Sequence, residues 1–321
     1  MNVPFAEKLN SRISSDGSHD AGDCPWRGEL RYDEPLRDHT SWRVGGPADR
    51  FYLPADRDDL ILILRSLPAE EPLFWLGLGS NLLVRDGGIR GTVISTRNRL
   101  KELRHTDNGR VYAEAGVPCA HVARFYAERN LAGAEFLAGI PGTMGGALAM
   151  NAGAFGGETW NLVARVWTVD RPGAVRCREA REYRVGYRSV EGSDGEWFLA
   201  CELIPGGDDV SGRERIRELL ARRNATQPTH LPSCGSVFRN PPGDHAARLI
   251  ESAGLKGYSL GGAQVSEKHA NFIVNTGTAT AAEIETLIGR VRETVLRVHG
   301  VSLETEVRIV GEKTRRTKTT P

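Results

Sequence analysis

The 321-residue sequence lacks several features that mark specialised classes of protein. No apolar run reaches the roughly 18 to 20 residues that a membrane-spanning helix needs. The 42 basic and 41 acidic residues give a formal charge of +1, and both signs are interspersed, which argues against a general nucleic-acid or membrane surface. The N-terminus lacks the basic-then-apolar order of a secretory signal. We expect a cytoplasmic protein with no membrane insertion, no nucleic-acid partner and no obligate protein partner.

Cysteine is also scarce, with five residues, an odd number, and no C-x-x-C pair. Neither a disulfide framework nor a zinc site is indicated. Near His269 no second histidine or carboxylate stands at metal-ligand spacing, so we predict no catalytic metal. Cys234 lies two residues before Ser236, and we interpret it as a packing residue.

Glycine, by contrast, is abundant, and seven of the 21 residues at 138–158 are glycines. A glycine cluster is useful where the main chain takes positive φ angles or lies directly against a ligand. The segment therefore predicts a binding site for a large, phosphorylated ligand.

A second glycine-rich turn, Gly77-Leu78-Gly79-Ser80-Asn81, follows a predicted strand at 72–76 and precedes the apolar run 82–84. Such a turn can present several backbone N–H groups to one anion. It is not a Rossmann fingerprint, because Leu82 occupies the place of the third glycine, and it is not a P-loop. Taken alone, the turn is equally compatible with an ordinary loop.

The rest of the pattern predicts an α/β (α+β) fold. Residues 1–31 are rich in Ser, Asp and Gly without hydrophobic periodicity, and we expect a poorly ordered extension. Alternating strand and helix patterns, including a helix at 55–67, predict two α/β subdomains at 32–100 and 101–208.

A third domain is predicted at 209–311. Capping boxes at Ser211-x-x-Glu214 and Thr280-x-x-Glu283 are expected to begin two of its helices. The second of these helices carries aliphatic residues as far as Val298 on one side. Residues 312–321 are expected to form a short, solvated basic tail.

The two glycine segments, in this order, resemble the cofactor-binding domain of the vanillyl-alcohol-oxidase (PCMH-type) flavoproteins. More narrowly, the sequence is similar to the UDP-N-acetylenolpyruvoylglucosamine reductases, the MurB family. Four further motifs in matching order carry this resemblance: HTSWRVGGPAD at 39–49, GYRS at 186–189, GSVFRNP at 235–241 and LETEVR at 303–308. Arg188 and Ser236 are 48 positions apart, and Ser236 and Glu306 are 70 apart, which looks like the compact type II variant without a tyrosine-bearing lid.

The resemblance implies a two-subdomain PCMH-type FAD-binding fold, followed by a C-terminal α+β substrate-binding domain. It also implies an oxidoreductase acting on a CH–CH group, with non-covalent FAD as cofactor and NADPH as co-substrate. The implied reaction reduces UDP-N-acetylglucosamine enolpyruvate to UDP-N-acetylmuramate. That reaction supplies peptidoglycan synthesis, and through it cell wall biogenesis, cell shape, cell division and the cell cycle.

Three catalytic residues are implied by their positions in the family motifs. Arg188 matches the arginine that polarises the substrate carboxylate, for which a planar two-pronged donor is well suited. Ser236 matches the proton donor, and Glu306 matches a carboxylate near the reacting end of the substrate.

The resemblance also implies ligand-binding residues. Those for FAD are Arg43, Gly77, Gly79, Ser80, Asn81, Leu82, Pro141, Gly142, Thr143, Gly145, Gly146, Asn151 and Gly153. We expect the backbone amides of 79–81 and 142–146 to hold the cofactor. Those for the substrate are Tyr187, Asn240, Lys256 and His269, although a neutral, packed histidine is at least as compatible with His269.

Two alternatives stay open at this point. A flavin oxidase of the same superfamily often carries a histidine beside the first glycine turn for covalent flavin attachment, and none occurs between Leu76 and Val84. A flavin-binding protein without turnover would leave Arg188, Ser236 and Glu306 unexplained.

Overall fold

The chain folds into three mixed helix and strand units, which a computed structural model describes for residues 26–192 and 194–314. Most of the predicted N-terminal extension (1–25) and the end of the basic tail (315–321) lie outside the described residues. Within the described part, no helix is both long enough and apolar enough to cross a bilayer.

The first unit is a four-stranded sheet covered by one helix. Its strands, in the spatial order β1-β2-β5-β3, are β1 (Glu29–Pro35), β2 (Pro47–Leu53), β5 (Ile89–Ser95) and β3 (Leu73–Leu76). β1 is antiparallel to β2, whereas β2 and β3 both run parallel to β5. Helix α1 (Arg57–Ser66) and strand β3 confirm the predicted elements at 55–67 and 72–76.

The predicted end of the poorly ordered extension at residue 31 is wrong, because residues 29–31 already belong to strand β1. They pair in register with β2. The strand was overlooked because its outward positions are charged, which hides its alternation from a search for hydrophobic periodicity.

The second unit is a five-stranded antiparallel sheet with two helices. Its strands, in the spatial order β11-β10-β14-β7-β6, are β11 (Val175–Glu179), β10 (Val163–Asp170), β14 (Glu196–Leu203), β7 (Val111–Glu114) and β6 (Leu103–His105). Helix α2 (Cys119–Glu128) buries Val122 and Tyr126 in the core. The short helix α3 (Met144–Met150) lies within the glycine-rich segment. Two small hairpins complete the unit: β8 (Gly153–Ala154) with β9 (Gly157–Glu158), and β12 (Arg184–Gly186) with β13 (Ser189–Glu191).

The third unit contains helices α5 (Ala246–Ser252) and α6 (Ala281–His299), and helix α4 (Gly212–Thr226) precedes them in the chain. Its sheet comprises β15 (Ser259–Leu260), β16 (Ala263–Val265) and β17 (Ile273–Asn275). The Thr280 capping box is confirmed, because Thr280 accepts from the Glu283 amide and Glu283 accepts from the Thr280 amide. The predicted apolar face is wrong at Val298, which is 47% exposed.

The start of α4 differs from its prediction. The Ser211 hydroxyl donates to Asp209 Oδ1 at 2.7 Å and makes no cap bond, so the predicted capping box there is wrong although a helix does begin. Asp209 competes for the hydroxyl, as short polar side chains in turns often do. α4 also packs against α2 and the 3-10 turn Glu135–Gly139 of the second unit, so the predicted boundary at 208/209 separates it from the elements it contacts.

Long-range contacts join the first and third units. Strand β4 (Leu82–Val84), directly after the glycine turn, pairs in parallel with β18 (Arg308–Val310) near the C-terminus. Trp42 is fully buried in the core of the third unit, and its indole N–H donates to the Ile273 carbonyl at 2.7 Å. The glycine turn therefore lies at the junction of these two units.

Candidate functional site

The two glycine segments meet in space. A Cβ atom added to Gly77 would lie 2.6 Å from Thr143 Oγ1, and one added to Gly142 would lie 3.7 Å from Ser80 Oγ. Thr143 is the N-cap of α3, so the glycine turn packs against the beginning of that helix. The contact at Gly77 requires glycine because any side chain would push the two segments apart.

A third stretch, containing His39 and Ser41, closes around the same turn. Gly79 has φ +61°, and an added Cβ would overlap the His39 carbonyl oxygen. The Ser41 amide donates to the Gly79 carbonyl at 3.1 Å. Gly79 thus needs glycine both for its left-handed conformation and for this close approach.

Backbone amides of the glycine turn are left without protein acceptors. Within 26–192 and 194–314, none of the five N–H groups from Gly77 to Asn81 donates a hydrogen bond to a protein atom. Unpaired amides in succession form an anion-binding concavity. This arrangement fits the expectation for residues 79–81.

The expectation for the amides of 142–146 needs correction at residues 142, 144 and 145 and stays a prediction for the other two. The amides of Gly142, Met144 and Gly145 donate to the carbonyls of Ile140, Val117 and Ala115, respectively. They anchor the segment to the second unit, because a buried N–H without a partner would be costly. Gly146 is exposed, and its amide makes only a 3.5 Å contact with Thr143 Oγ1.

A cavity of about 620 Å³ opens beside these segments. Among the predicted cofactor residues, Arg43 and Pro141 line it. Its full lining is Arg37, Asp38, His39, Thr40, Ser41, Arg43, Leu78, Arg97 and Pro141. Sequence reasoning missed Arg37 and Arg97. Arg97 follows β5, which lies parallel to β3, so a strand-pairing prediction would have placed it beside the glycine turn.

The remaining predicted cofactor residues differ in what they contact. Asn81 donates to the Glu306 carbonyl at 3.1 Å and accepts from the Arg308 amide, which links the turn to β18. Leu82 begins β4.

Asn151 is fully buried, and its side chain donates to Glu158 and to the Gly186 carbonyl and accepts from the Trp160 amide. Its side chain therefore links the two small hairpins, and the predicted contact of Asn151 with the cofactor stays a prediction.

Gly153 packs against the side chain of Arg188 rather than against the glycine turn. A Cβ there would lie 3.0 Å from Arg188 Nη1, and the Gly153 carbonyl accepts from Arg188 Nη2 at 3.0 Å.

The segments that carry the three predicted catalytic residues meet next to the glycine turn. Arg188 Nε donates to Glu306 Oε1 at 2.9 Å, and the two side chains are only 16% and 12% exposed. The Glu306 amide donates to the Val237 carbonyl at 2.8 Å, which places Glu306 beside the Ser236 segment. Burial raises the pKa of Glu306, and the charges of Arg188 and Arg239 oppose that rise.

Asn271, missed by sequence reasoning, fixes the Ser236 segment. It accepts from the amides of Val237 and Phe238 and donates to the Phe238 carbonyl. The preceding Gly235 has φ +79° with no atom within 4 Å of an added Cβ, so the segment faces open space there. Cys234 is buried and its pKa is raised by burial.

The predicted substrate residues have different partners in the fold. Tyr187, 49% exposed, lies beside Arg188 with the guanidinium carbon 5.1 Å from its ring centre. Asn240 Oδ1 accepts from the Ala246 amide at the start of α5, so that part of the side chain is structural. Lys256 pairs with Glu251 at 2.8 Å.

His269 has a buried Nδ1 atom without a partner in the described part of the chain, and its ring packs edge-on against Phe272. Burial lowers the pKa of His269, and this favours the neutral, packed histidine. Residues 26–192 and 194–314 contain no group of three His, Cys, Asp or Glu side chains placed to hold a metal ion.

Comparisons with known proteins agree on one family. The family model described as UDP-N-acetylenolpyruvoylglucosamine reductase, C-terminal domain, matches residues 227–310, and the FAD binding domain model matches residues 48–178. The chain is 68% identical over 290 residues to a UDP-N-acetylenolpyruvoylglucosamine reductase of Methylococcus capsulatus, covering 90% of this chain and 95% of that protein. A protein of the same name from Alkalilimnicola ehrlichii is 62% identical, with 89% and 96% covered.

A solved structure gives the same answer. The crystal structure of UDP-N-acetylenolpyruvylglucosamine reductase (MurB) from Thermus caldophilus superposes with a TM-score of 0.75 at 33% identity. The superposition covers 88% of this chain and 98% of that one.

Proposed function

The chain belongs to the UDP-N-acetylenolpyruvoylglucosamine reductase family, and on that premise we propose how its residues share the reaction. It is an FAD-containing, NADPH-dependent oxidoreductase that reduces UDP-N-acetylglucosamine enolpyruvate to UDP-N-acetylmuramate. When bound, FAD supplies the hydride chemistry between NADPH and the C3 carbon of the enolpyruvyl group. The protein must hold FAD, stabilise negative charge on the substrate carboxylate and deliver a proton to C2.

The residues of the glycine turn fit the cofactor. Five unpaired amides from Gly77 to Asn81 suit a diphosphate, which carries negative charge and accepts several hydrogen bonds. Arg43 and the two additional cavity arginines, Arg37 and Arg97, bring positive charge to the same cavity. We propose that the turn binds the diphosphate and that these arginines neutralise it.

We propose that Arg188 stabilises negative charge on the substrate. Three of its N–H groups are used by Glu306 and by the carbonyls of Asn151 and Gly153. A guanidinium has five N–H donors, so two remain for a carboxylate. Fixed donors in a buried site stabilise developing negative charge without reorganising, and this is a large source of catalysis.

Ser236 is proposed as the proton donor to C2. Its hydroxyl has no hydrogen-bond partner within the described ranges of the chain, which leaves it free for a substrate. Asn271 fixes the backbone on one side, while Gly235 leaves open space on the other. A fixed hydroxyl beside open space matches what a positioned acid requires.

Glu306 is proposed to orient Arg188 and to keep a carboxyl group near the reacting end of the substrate. Its raised pKa favours the protonated form more than in an exposed glutamate. The observation that carries the whole proposal is the contact between Asn81 Nδ2 and the Glu306 carbonyl. It joins the cofactor turn directly to the segment of the catalytic groups.

The reaction also suggests in which compartment of the cell the protein works. We propose that it works in the cytoplasm, where NADPH and nucleotide sugars are soluble. Its product would supply peptidoglycan synthesis, and loss of the enzyme would then impair cell shape and cell division.

One anaerobic experiment tests this function against the two alternatives. NADPH should bleach the flavin absorbance of the purified protein, and the UDP-linked enolpyruvyl sugar should restore it without oxygen. An oxidase would need oxygen for recovery. A passive flavin-binding protein would not be bleached by NADPH.

A further inference from the structure

Arg239 is a charged residue at the reaction centre without a role in the reaction proposed above. It lies three residues after Ser236, and its Nη2 donates to the Arg188 carbonyl at 3.1 Å. We infer that Arg239 is a positioning residue that clamps the turn carrying Arg188 onto the Ser236 segment. This inference rests on the proposed roles of Arg188 and Ser236.

Arg188 needs such a clamp because its backbone is strained. It has φ +54°, a left-handed conformation that glycine and asparagine adopt far more readily than arginine. Residues in such conformations are strained and persist only where their surroundings fix them. The turn joins β12 and β13, and β12 is exposed along its whole length, so burial of the hairpin alone does not fix it.

The contacts of Arg188 divide between its two ends. Glu306, Asn151 and Gly153 hold the guanidinium. Arg239 holds the backbone carbonyl of the same residue. Together they fix both the backbone and the guanidinium of a residue whose side chain has four rotatable bonds, and loss of Arg239 removes the contact that holds the backbone.

Arg239 can act as a clamp because its own segment is fixed. Its amide donates to the Glu304 carbonyl at 2.9 Å, and the neighbouring Phe238 pairs with Thr305. This short antiparallel pairing also carries Ser236 and Glu306. Arg239 therefore sets the distance between the proton donor and the cation, where a misplacement of about 1 Å can cost 10²-fold in rate.

The charge of Arg239 acts in the same place. Its Nε is buried and has no protein partner among residues 26–192 and 194–314. The groups facing Glu306 are the cations Arg188 and Arg239 and the Cys234 thiol, and both cations lower the pKa of Glu306. Arg239 thus supports the Arg188–Glu306 pair electrostatically as well as geometrically.

The first test separates the half-reactions in FAD-loaded protein. In Arg239→Met, flavin reoxidation by the enolpyruvyl substrate should slow at least tenfold, while NADPH-driven reduction stays within twofold. Arg239→Lys keeps the charge and one donor, and should recover part of the loss. Arg248→Met removes an arginine of the same domain whose side chain is 57% exposed, and should change neither rate.

The second test does not depend on turnover. The pKa of Glu306, measured by ¹³C NMR of its carboxyl carbon in the oxidised holoenzyme, should rise in Arg239→Met and rise less in Arg239→Lys. A full reoxidation rate in Arg239→Met overturns the inference, as does equal slowing of both half-reactions with an unchanged Glu306 pKa. If the proposed role of Arg188 were itself wrong, the result would be distinguishable, because the flavin of Arg188→Met would then be reoxidised by the substrate at the full rate.

Discussion

The proposed cofactor turn and the proposed reaction centre use different chemical groups of the chain, backbone amides in the first and side chains in the second. Gly77–Asn81 offers backbone amides and depends on the absence of side chains, as the contact between Gly77 and Thr143 shows. The proposed reaction centre depends on three side chains: Ser236 and Glu306 belong to two distant segments that pair with each other, and Arg188 forms an ion pair with Glu306. Substitutions in one region should therefore change cofactor binding, and substitutions in the other should change the rate of the reaction with the substrate.

Arg188→Met should give the largest change outside Ser236, because it removes the stabilising cation while leaving the glycine turn intact. We expect reoxidation by the substrate to slow roughly 10²- to 10³-fold, as for loss of a fixed charge-stabilising donor. FAD affinity should stay within twofold. Stopped-flow absorbance and a flavin titration measure the two quantities. Arg184→Met, an 84% exposed arginine of the same hairpin, is the control.

The stability of Arg188→Met should also depend on pH more steeply than that of the parent protein. The folded-state pKa of Glu306 is raised, so its contribution to stability is present below the ordinary carboxyl pKa and is lost as pH rises through the raised value. Loss of Arg188 removes a charge that lowers this pKa and so enlarges the effect. The melting temperature of Arg188→Met should fall more than that of the parent protein as the pH rises above the ordinary carboxyl pKa. A parallel fall in both proteins would contradict the assignment.

Gly77→Ala attacks the other region. Its Cβ would lie 2.6 Å from Thr143 Oγ1, so the two segments must separate, at a cost of roughly 1 to 3 kcal/mol. We expect FAD to bind at least tenfold more weakly. Gly289→Ala is the control, since no atom lies within 4 Å of its added Cβ and it belongs to α6 rather than to a glycine segment of the site. Flavin fluorescence titration compares them, and equal losses would show that the contact at Gly77 is unimportant.

Sequence reasoning predicted local elements of the fold and missed the long-range contacts between them. The helix at Arg57–Ser66 and the Thr280 cap follow from local periodicity and capping, which act over a few residues. The pairing of Leu82–Val84 with Arg308–Val310 joins positions more than 200 residues apart, and no local pattern specifies it. Arg239 lay inside a recognised motif, but its contact with the Arg188 carbonyl depends on that tertiary arrangement.

Hydrogen-bond competition explains other differences. The amides of Gly142 and Gly145 looked available for a cofactor because the segment is rich in glycine, yet the carbonyls of the second unit use them. Ser211 has the spacing of a capping residue, but Asp209 takes its hydroxyl. Spacing identifies a possible donor, whereas only the fold determines its partner.

Thr280→Ala should give the smallest effect and should touch neither region. Loss of the cap to the Glu283 amide is expected to cost about 1 kcal/mol of unfolding free energy. Ser211→Ala, at the cap position without a cap bond, should cost less than about 0.5 kcal/mol. Urea unfolding of the FAD-loaded proteins measures both. Half-reaction rates should be unchanged, and a slowed half-reaction would show coupling between α6 and the site.

The separation of cofactor binding from chemistry is tested most directly by stopped-flow measurement of both half-reactions in Ser236→Ala. A missing proton donor affects only the transfer to the substrate, so NADPH-driven flavin reduction should stay nearly intact. Reoxidation by the enolpyruvyl substrate should fall by roughly 10²- to 10⁴-fold, the usual contribution of positioned proton transfer, and Ser236→Cys should retain some of it. Equal slowing of both half-reactions, or unchanged reoxidation, would contradict the account.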